Sequence, residues 1–195
     1  MVFITPSSRK TDFLRLLLTL CVFWCSTVFA ANEGIHVKFA EISQNGGDYY
    51  LEGNFEVELT PTLEDALNKG LPLHFDVEFE LIYPRWYTLY LWNKSVVELE
   101  QHYRLSYNAL TRQYRLRFGA LHQNVDTLNE ALALLGRLRP RFVVDADALD
   151  EGTVYEAAIR MRLDVSQLPK PFQINALASR DWNLSSEWFR WTIRR

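Results

Sequence analysis

Hydrophobic and polar residues alternate with period two along much of the chain, most cleanly from Ser95 to Tyr107. Val97, Leu99, Tyr103, Leu105 and Tyr107 share one phase; Glu98, Glu100, His102, Arg104 and Ser106 share the other. The pattern returns with Tyr114, Leu116 and Phe118 against Arg115 and Arg117. Strict alternation predicts a strand with one face buried and one in water. Pairing Tyr107 with Tyr114 sets Leu105 opposite Leu116 and Tyr103 opposite Phe118. The two arms of a hairpin from Ser95 to Gly119 therefore agree in which side is apolar.

The same pattern organises the rest. Ile35 to Ser43 and Tyr49 to Leu59 alternate on either side of Asn45-Gly46-Gly47-Asp48, a turn whose glycines supply positive φ. Gly53 interrupts the series Leu51, Phe55, Val57, Leu59 and predicts a bulge. Thr60-Pro61 opens a short helix carrying Leu63, Ala66 and Leu67, which Gly70 stops. Leu73 to Tyr83 turns Leu73, Phe75, Val77, Phe79 and Leu81 inward and Asp76, Glu78 and Glu80 outward. A second helix is predicted over about Asp126 to Leu138, with Thr127 and Glu130 as a capping box and Pro140 as its end. Gly136 weakens that helix by roughly 1 kcal/mol relative to alanine. Arg141 to Val144 predicts a short strand, and Thr153 to Leu163 a longer one with Tyr155, Ala157, Ile159, Met161 and Leu163 inward. Leu168-Pro169-Lys170-Pro171 is extended or turned. Ser185 to Ile193 suits a final strand.

Eight or nine antiparallel strands and two short accessory helices predict a mainly β fold, a β-sandwich with the helices closing its ends or one open face. An outer-membrane barrel shares the alternation, but a capped amphipathic helix in mid-chain and a terminal Arg194-Arg195 do not suit it.

Residues 1–30 carry a different pattern. Arg9, Lys10 and Arg15 precede an apolar run from Leu16 to Trp24, and Val28-Phe29-Ala30 ends in small or compact residues, as a secretory signal cleaved after Ala30 does. The alternative is an uncleaved inner-membrane anchor, for which the run is short. Either way residues 31–195 form a single exported, periplasmic domain. Both cysteines lie in the signal, which leaves no thiol nucleophile or cysteine metal site. Losing the signal moves the net charge from −3 to −5, since three basic residues leave with one acid, Asp12. That balance, together with export, argues against nucleic acid as partner.

The phrase Asp164-Val-Ser-Gln-Leu168-Pro-Lys-Pro171-Phe-Gln-Ile174-Asn-Ala-Leu177, then Asp181-Trp182 and Leu184-Ser185-Ser186-Glu187-Trp188, adds a family likeness. With the signal and an aromatic stretch from Tyr83 to Trp92, the chain resembles the uncharacterised proteobacterial exported family called domain of unknown function 4390. The resemblance covers roughly Ile35 to Thr192. It implies a bacterial envelope protein without an assigned catalytic residue. It also suggests a link to envelope sensing or regulation, because genes of this kind lie near two-component sensor kinases.

Candidate chemistry is sparse. His36, His74 and His102 fall outward on strands and His122 in a loop, none at the helical spacing of a zinc motif. No nucleophile elbow and no phosphate loop is present, Ser185 and Ser186 read as a turn, and no cofactor is implied. The best metal candidate is the loop holding Asp145, Asp147, Asp150 and Glu151, although Leu149 and the late Gly152 break the calcium-loop pattern. Arg104, Arg115 and Arg117 gather on the polar side of the hairpin, with Arg112 near its turn. Glu78 and Glu80 on the preceding strand are expected to pair with them; an anion or lipid headgroup is the functional alternative. Aromatics are the clearest excess. Tyr83, Arg85, Trp86, Tyr87 and Trp92, with Trp182, Trp188 and Trp191, have the composition of a protein-contact surface or of rings at a membrane, against burial at the sandwich rim. The expectation is a non-enzymatic periplasmic sandwich that binds another envelope protein through these residues, with peripheral membrane contact as a further use. The alternatives are a binding module for a lipid, glycan or small ligand with Arg85 as polar anchor, and an enzyme whose site joins a histidine to an acid in space.

Overall fold

The computed structural model describes residues 34–83 and 94–195, which fall within one compact unit. The predicted signal, and Arg85, Trp86, Tyr87 and Trp92 of the aromatic stretch, lie outside the described residues. Two antiparallel sheets make the sandwich. The smaller runs β1 (Gly34–Asn45), β2 (Asp48–Glu58), β7 (Arg137–Asp145). The larger runs β6 (Leu121–Val125), β5 (Gln113–Phe118), β4 (Lys94–Asn108), β3 (Leu73–Tyr83), β8 (Val154–Leu163), β9 (Phe189–Arg194).

The hairpin register is the predicted one: Tyr103 faces Phe118, Leu105 faces Leu116 and Tyr107 faces Tyr114. Asn45 faces Asp48 across Gly46 (φ 64°) and Gly47 (φ 98°), a two-residue turn whose backbone twist suits a hairpin. β3 is the spine, with neighbours on both sides and Leu73, Phe75, Val77, Phe79 and Leu81 all buried. Each such side chain contributes about 1.5–3 kcal/mol of burial, which is what fixes the register of the larger sheet.

β1 packs over β8 and β9, and β7 over β4. The smaller sheet thus leaves β5 and β6 uncovered, and α2 (Leu128–Gly136) closes that gap, burying Ala131 and Leu135. α1 (Pro61–Asn68) starts as predicted: the Leu63 amide donates to Thr60 Oγ1 at 3.3 Å, and the Thr60 hydroxyl donates to the carbonyl of Asp181.

Four predicted boundaries need correction. α2 ends at Gly136 rather than near Leu138, and β7 begins at once and runs through Pro140. Proline is tolerated there because β7 is an edge strand and the β2–β7 register shifts between Leu51 and Gly53, beside it. His122 lies in β6, not in a loop; the strand is nearly all exposed, so it shows no alternation and exists by pairing with β5. A third helix, α3 (Lys170–Ala178), follows the extended Leu168 and uses Pro171 in its first turn, where no amide donor is needed. The last strand is shorter than predicted, because Ser185 makes only an isolated bridge to Arg162 before β9 begins at Phe189.

Candidate binding face

Alternation in β3, β4, β5 and β8 places most of their polar residues on one surface, the outer face of the larger sheet. At its centre stands Asp76 of β3, buried although its phase is outward, because β4 and β8 flank it. Its Oδ1 lies 2.7 Å from Nδ1 of His102, directly opposite on β4, and its Oδ2 lies 3.6 Å from the Arg162 guanidinium on β8. The hydrogen bond to Asp76 raises the His102 pKa above its ordinary value. His74, one ladder position along on the same face, moves the other way: burial lowers its pKa, helped by the facing Arg104.

Glu78 accepts from Arg160 at 2.6 Å and from Arg162 at 2.5 Å. Burial alone would raise its pKa, but these two guanidinium hydrogen bonds outweigh that and lower it. The expected pairing of Glu78 and Glu80 with Arg104, Arg115 and Arg117 is therefore not formed. Register explains why. Glu78 faces Arg160 on one side and Glu100 on the other, Glu80 faces Glu98 and Ala158, and Arg104 faces His74 and Arg117.

The face is consequently segregated by charge. Toward one end, Glu80, Glu98 and Glu100 sit in like-charged opposition with no cation within ion-pair distance among the described residues. Toward the other, Arg104, Arg115, Arg117 and His122 line a concavity of about 350 Å³. Like charges placed opposite one another cost stability that an exchanged order would have recovered.

The aromatic candidates are dispersed. Trp182 is buried and packs on Phe172 of α3 at 5.7 Å between ring centroids, so it holds that helix in place. Trp191 turns inward against Phe79 (6.3 Å) and Phe189 (5.7 Å), and its buried indole N–H finds no acceptor among the described residues. Tyr83 ends β3 partly exposed, edge-on to Tyr155. Trp188 is different. It precedes β9 in the opposite phase to Phe189 and Trp191 and lies on the outer face, with the Arg160 guanidinium 4.5 Å and that of Arg190 6.0 Å from its ring. Arg190 also donates to Glu156 at 2.6 Å, which holds it in position.

Sequence reasoning missed Arg160 and Arg190 as companions of Trp188. The alternation of β8 gave Arg160 its side, but not the neighbouring strand that brings Trp188 to it. It also read Ser186 as part of a turn, whereas its hydroxyl accepts from the Met161 amide at 3.0 Å and extends the ladder toward β9.

The acidic loop does not gather its four carboxylates. Asp147 accepts from Arg195 at 3.1 Å, and the chain dips inward at Ala146 and Leu149, both buried, while Asp145, Asp150 and Glu151 stand exposed. The described residues that do bring three ligand atoms within 4.8 Å of one another are Asp76, Glu100 and His102. There the Arg162 guanidinium already supplies positive charge to Asp76. A His–Asp pair also serves a general base, but the His102 side chain stands 71% exposed on a sheet face. The residues beside it in register, Glu100, Arg104 and Arg162, offer no hydroxyl or thiol. A concavity of about 550 Å³ opens elsewhere, between β2 and α2, and none of the described aromatic candidates lines it.

Comparison with curated proteins and with solved structures returned no match. A family match covers residues 32–192, from just before β1 almost to the end of β9. The sandwich and its charge-segregated face therefore lie within the matched region, and the chain belongs to the family described as Domain of unknown function (DUF4390).

Proposed function

We propose that the chain is a non-enzymatic interaction module of the bacterial envelope, exported to the periplasm, which docks a partner protein on the outer face of its larger sheet around Trp188. One observation carries this reading: a tryptophan on an outward sheet face, partly covered by two arginines, has the composition and geometry of an interface anchor. A fold needs no tryptophan there, since the core of the sandwich is already closed on the other side of β8.

The row Glu80, Glu98 and Glu100 gives the partner its sign. Three carboxylates with no cation in ion-pair distance among the described residues suit a basic surface, which would relieve their mutual repulsion and steer the encounter. The sequence signal supports export, and the family likeness is compatible with a role in envelope sensing or regulation.

The test is crosslinking in intact cells from a photoreactive residue at position 188, with a control at Ser43, which sits on the smaller sheet. A discrete protein adduct is expected from position 188 and none from 43. It should disappear when Glu98 and Glu100 are both changed to lysine. Equal labelling from both sites, or an adduct indifferent to the charge reversal, would sink the proposal.

A further inference from the structure

The basic end of the same face is separate from the Trp188 cluster and has its own geometry. Arg104 on β4, Arg117 on β5 and His122 on β6 stand opposite one another in consecutive ladders, and Arg115 follows on β5, facing Ser106 and Asn124. Asn124 Oδ1 accepts from Arg115 Nε at 3.0 Å, which fixes that guanidinium and leaves its terminal nitrogens free to point into the concavity. Among the described residues none of the three arginines has a carboxylate within ion-pair distance. Even Asp126, beside the hairpin tip, accepts from the Gln113 amide instead.

Guanidinium groups converging from adjacent strands match a phosphate oxyanion, which takes paired N–H bonds on several oxygens, better than a single carboxylate. A concavity of about 350 Å³ also has room for a phosphate ester and its substituent.

The hairpin tip identifies the source. Leu110 is 96% exposed, and the tip is held in shape, because Asn108 Oδ1 accepts from the Leu110 amide at 3.0 Å and from that of Thr111 at 3.5 Å. Arg112, at φ 54°, completes the turn with a further cation. Counting about 3.3 Å per residue, Arg115 stands roughly 7 Å behind the last ladder pair, Asn108 with Gln113, and Arg104 and Arg117 roughly 13 Å behind it. An apolar tip with cations at graded heights behind it is the arrangement of a peripheral membrane contact. The leucine enters the acyl boundary, and long arginine side chains reach back to the headgroups.

We infer that the β4–β5 hairpin is a lipid-contact site, at which Leu110 inserts and Arg104, Arg115 and Arg117 hold the phosphate headgroups of anionic lipid. The contact would place the tip of the larger sheet on the membrane and leave the Trp188 end of the face directed away from it.

The experiment is co-sedimentation of the purified protein with phosphatidylcholine vesicles, with and without phosphatidylglycerol, at low ionic strength. Binding is expected only with the anionic lipid and should fall with added salt. The variant Arg104→Gln/Arg115→Gln/Arg117→Gln should lose roughly a hundredfold in apparent affinity, and Leu110→Asn about tenfold. All four positions are exposed, so both variants should keep the wild-type thermal midpoint, which reports folding independently. Equal binding to neutral and anionic vesicles, or retention by the triple variant, overturns the inference. Saturable binding of inorganic phosphate without vesicle binding overturns the lipid assignment.

Discussion

Nδ1 of His102 lies 2.7 Å from Oδ1 of Asp76, a carboxylate that β4 and β8 bury on the polar side of the sheet. The imidazole of His102 and the guanidinium of Arg162 together compensate that buried charge. His102 carries a raised pKa for this reason, so its contribution to stability has a defined direction in pH. The pair stabilises fully below the unfolded-state value of about 6.5, where both states hold the proton, and the contribution is lost as pH rises through the raised folded-state value. The difference in unfolding free energy between the wild type and His102→Gln should therefore shrink between mildly acidic and mildly alkaline pH. Urea unfolding across that range measures it, and a difference constant with pH would refute the pairing. His74 should behave oppositely. Its pKa is lowered by burial, so the stability held by its neutral form is fully present above the unfolded value and is lost as pH falls through the lowered folded value.

Gly136 ends α2 against the backbone of β2: a Cβ there would sit 2.0 Å from the carbonyl oxygen of Phe55. Helix propensity alone predicts that Gly136→Ala stabilises by roughly 1 kcal/mol. The contact reverses the sign, because the obstacle is main chain and cannot rotate away. Gly136→Ala should destabilise by about 2–4 kcal/mol, read from denaturant midpoints. A stabilised variant would mean that α2 does not approach β2 so closely.

The two tryptophans at positions 182 and 188 should separate in a stability assay. Trp182 is buried against Phe172, so Trp182→Ala should cost about 3–5 kcal/mol. Trp188 lies on the outer face beneath Arg160 and Arg190, and Trp188→Ala should cost about 1 kcal/mol or less while removing partner capture. Matched losses of thermal stability in both variants would assign Trp188 to the core instead.

Ser186 is buried, and its hydroxyl accepts the Met161 amide that lies just beyond the β8–β9 ladder. Ser186→Ala leaves that amide without its side-chain acceptor and should cost about 1–2 kcal/mol. Hydrogen exchange at Met161 is the direct readout. Exchange as slow as in the wild type would show that the hydroxyl is dispensable.

Local rules made part of this protein legible. Period-two alternation gave β3, β4, β5 and β8 of the larger sheet and their buried sides, down to the register of Leu105 with Leu116, because each apolar face had a single way to agree with its neighbour. Turn and cap chemistry at Gly46-Gly47, Thr60 and Thr127 depends only on adjacent residues, and it formed as predicted. β6 and α3 were hidden for the opposite reason. Exposed residues such as His122 and Ile174 carry no periodic signal, and these elements exist only because neighbouring structure accepts their hydrogen bonds or packs beside them.

The candidate site was legible only as a set of side chains with known sides. The sequence by itself determined that Asp76, Glu78, His102, Arg104, Arg115 and Arg117 share a polar face, because alternation assigns every strand residue to one face or the other. Which of them touch was decided by strand order and register. β8 lies beside β3, so Glu78 is taken by Arg160 and Arg162, Asp76 is buried with His102, and the hairpin arginines have no carboxylate within ion-pair distance among the described residues. Strand order depends on how two sheets and a helix cover one core, a global packing energy that no local pattern encodes.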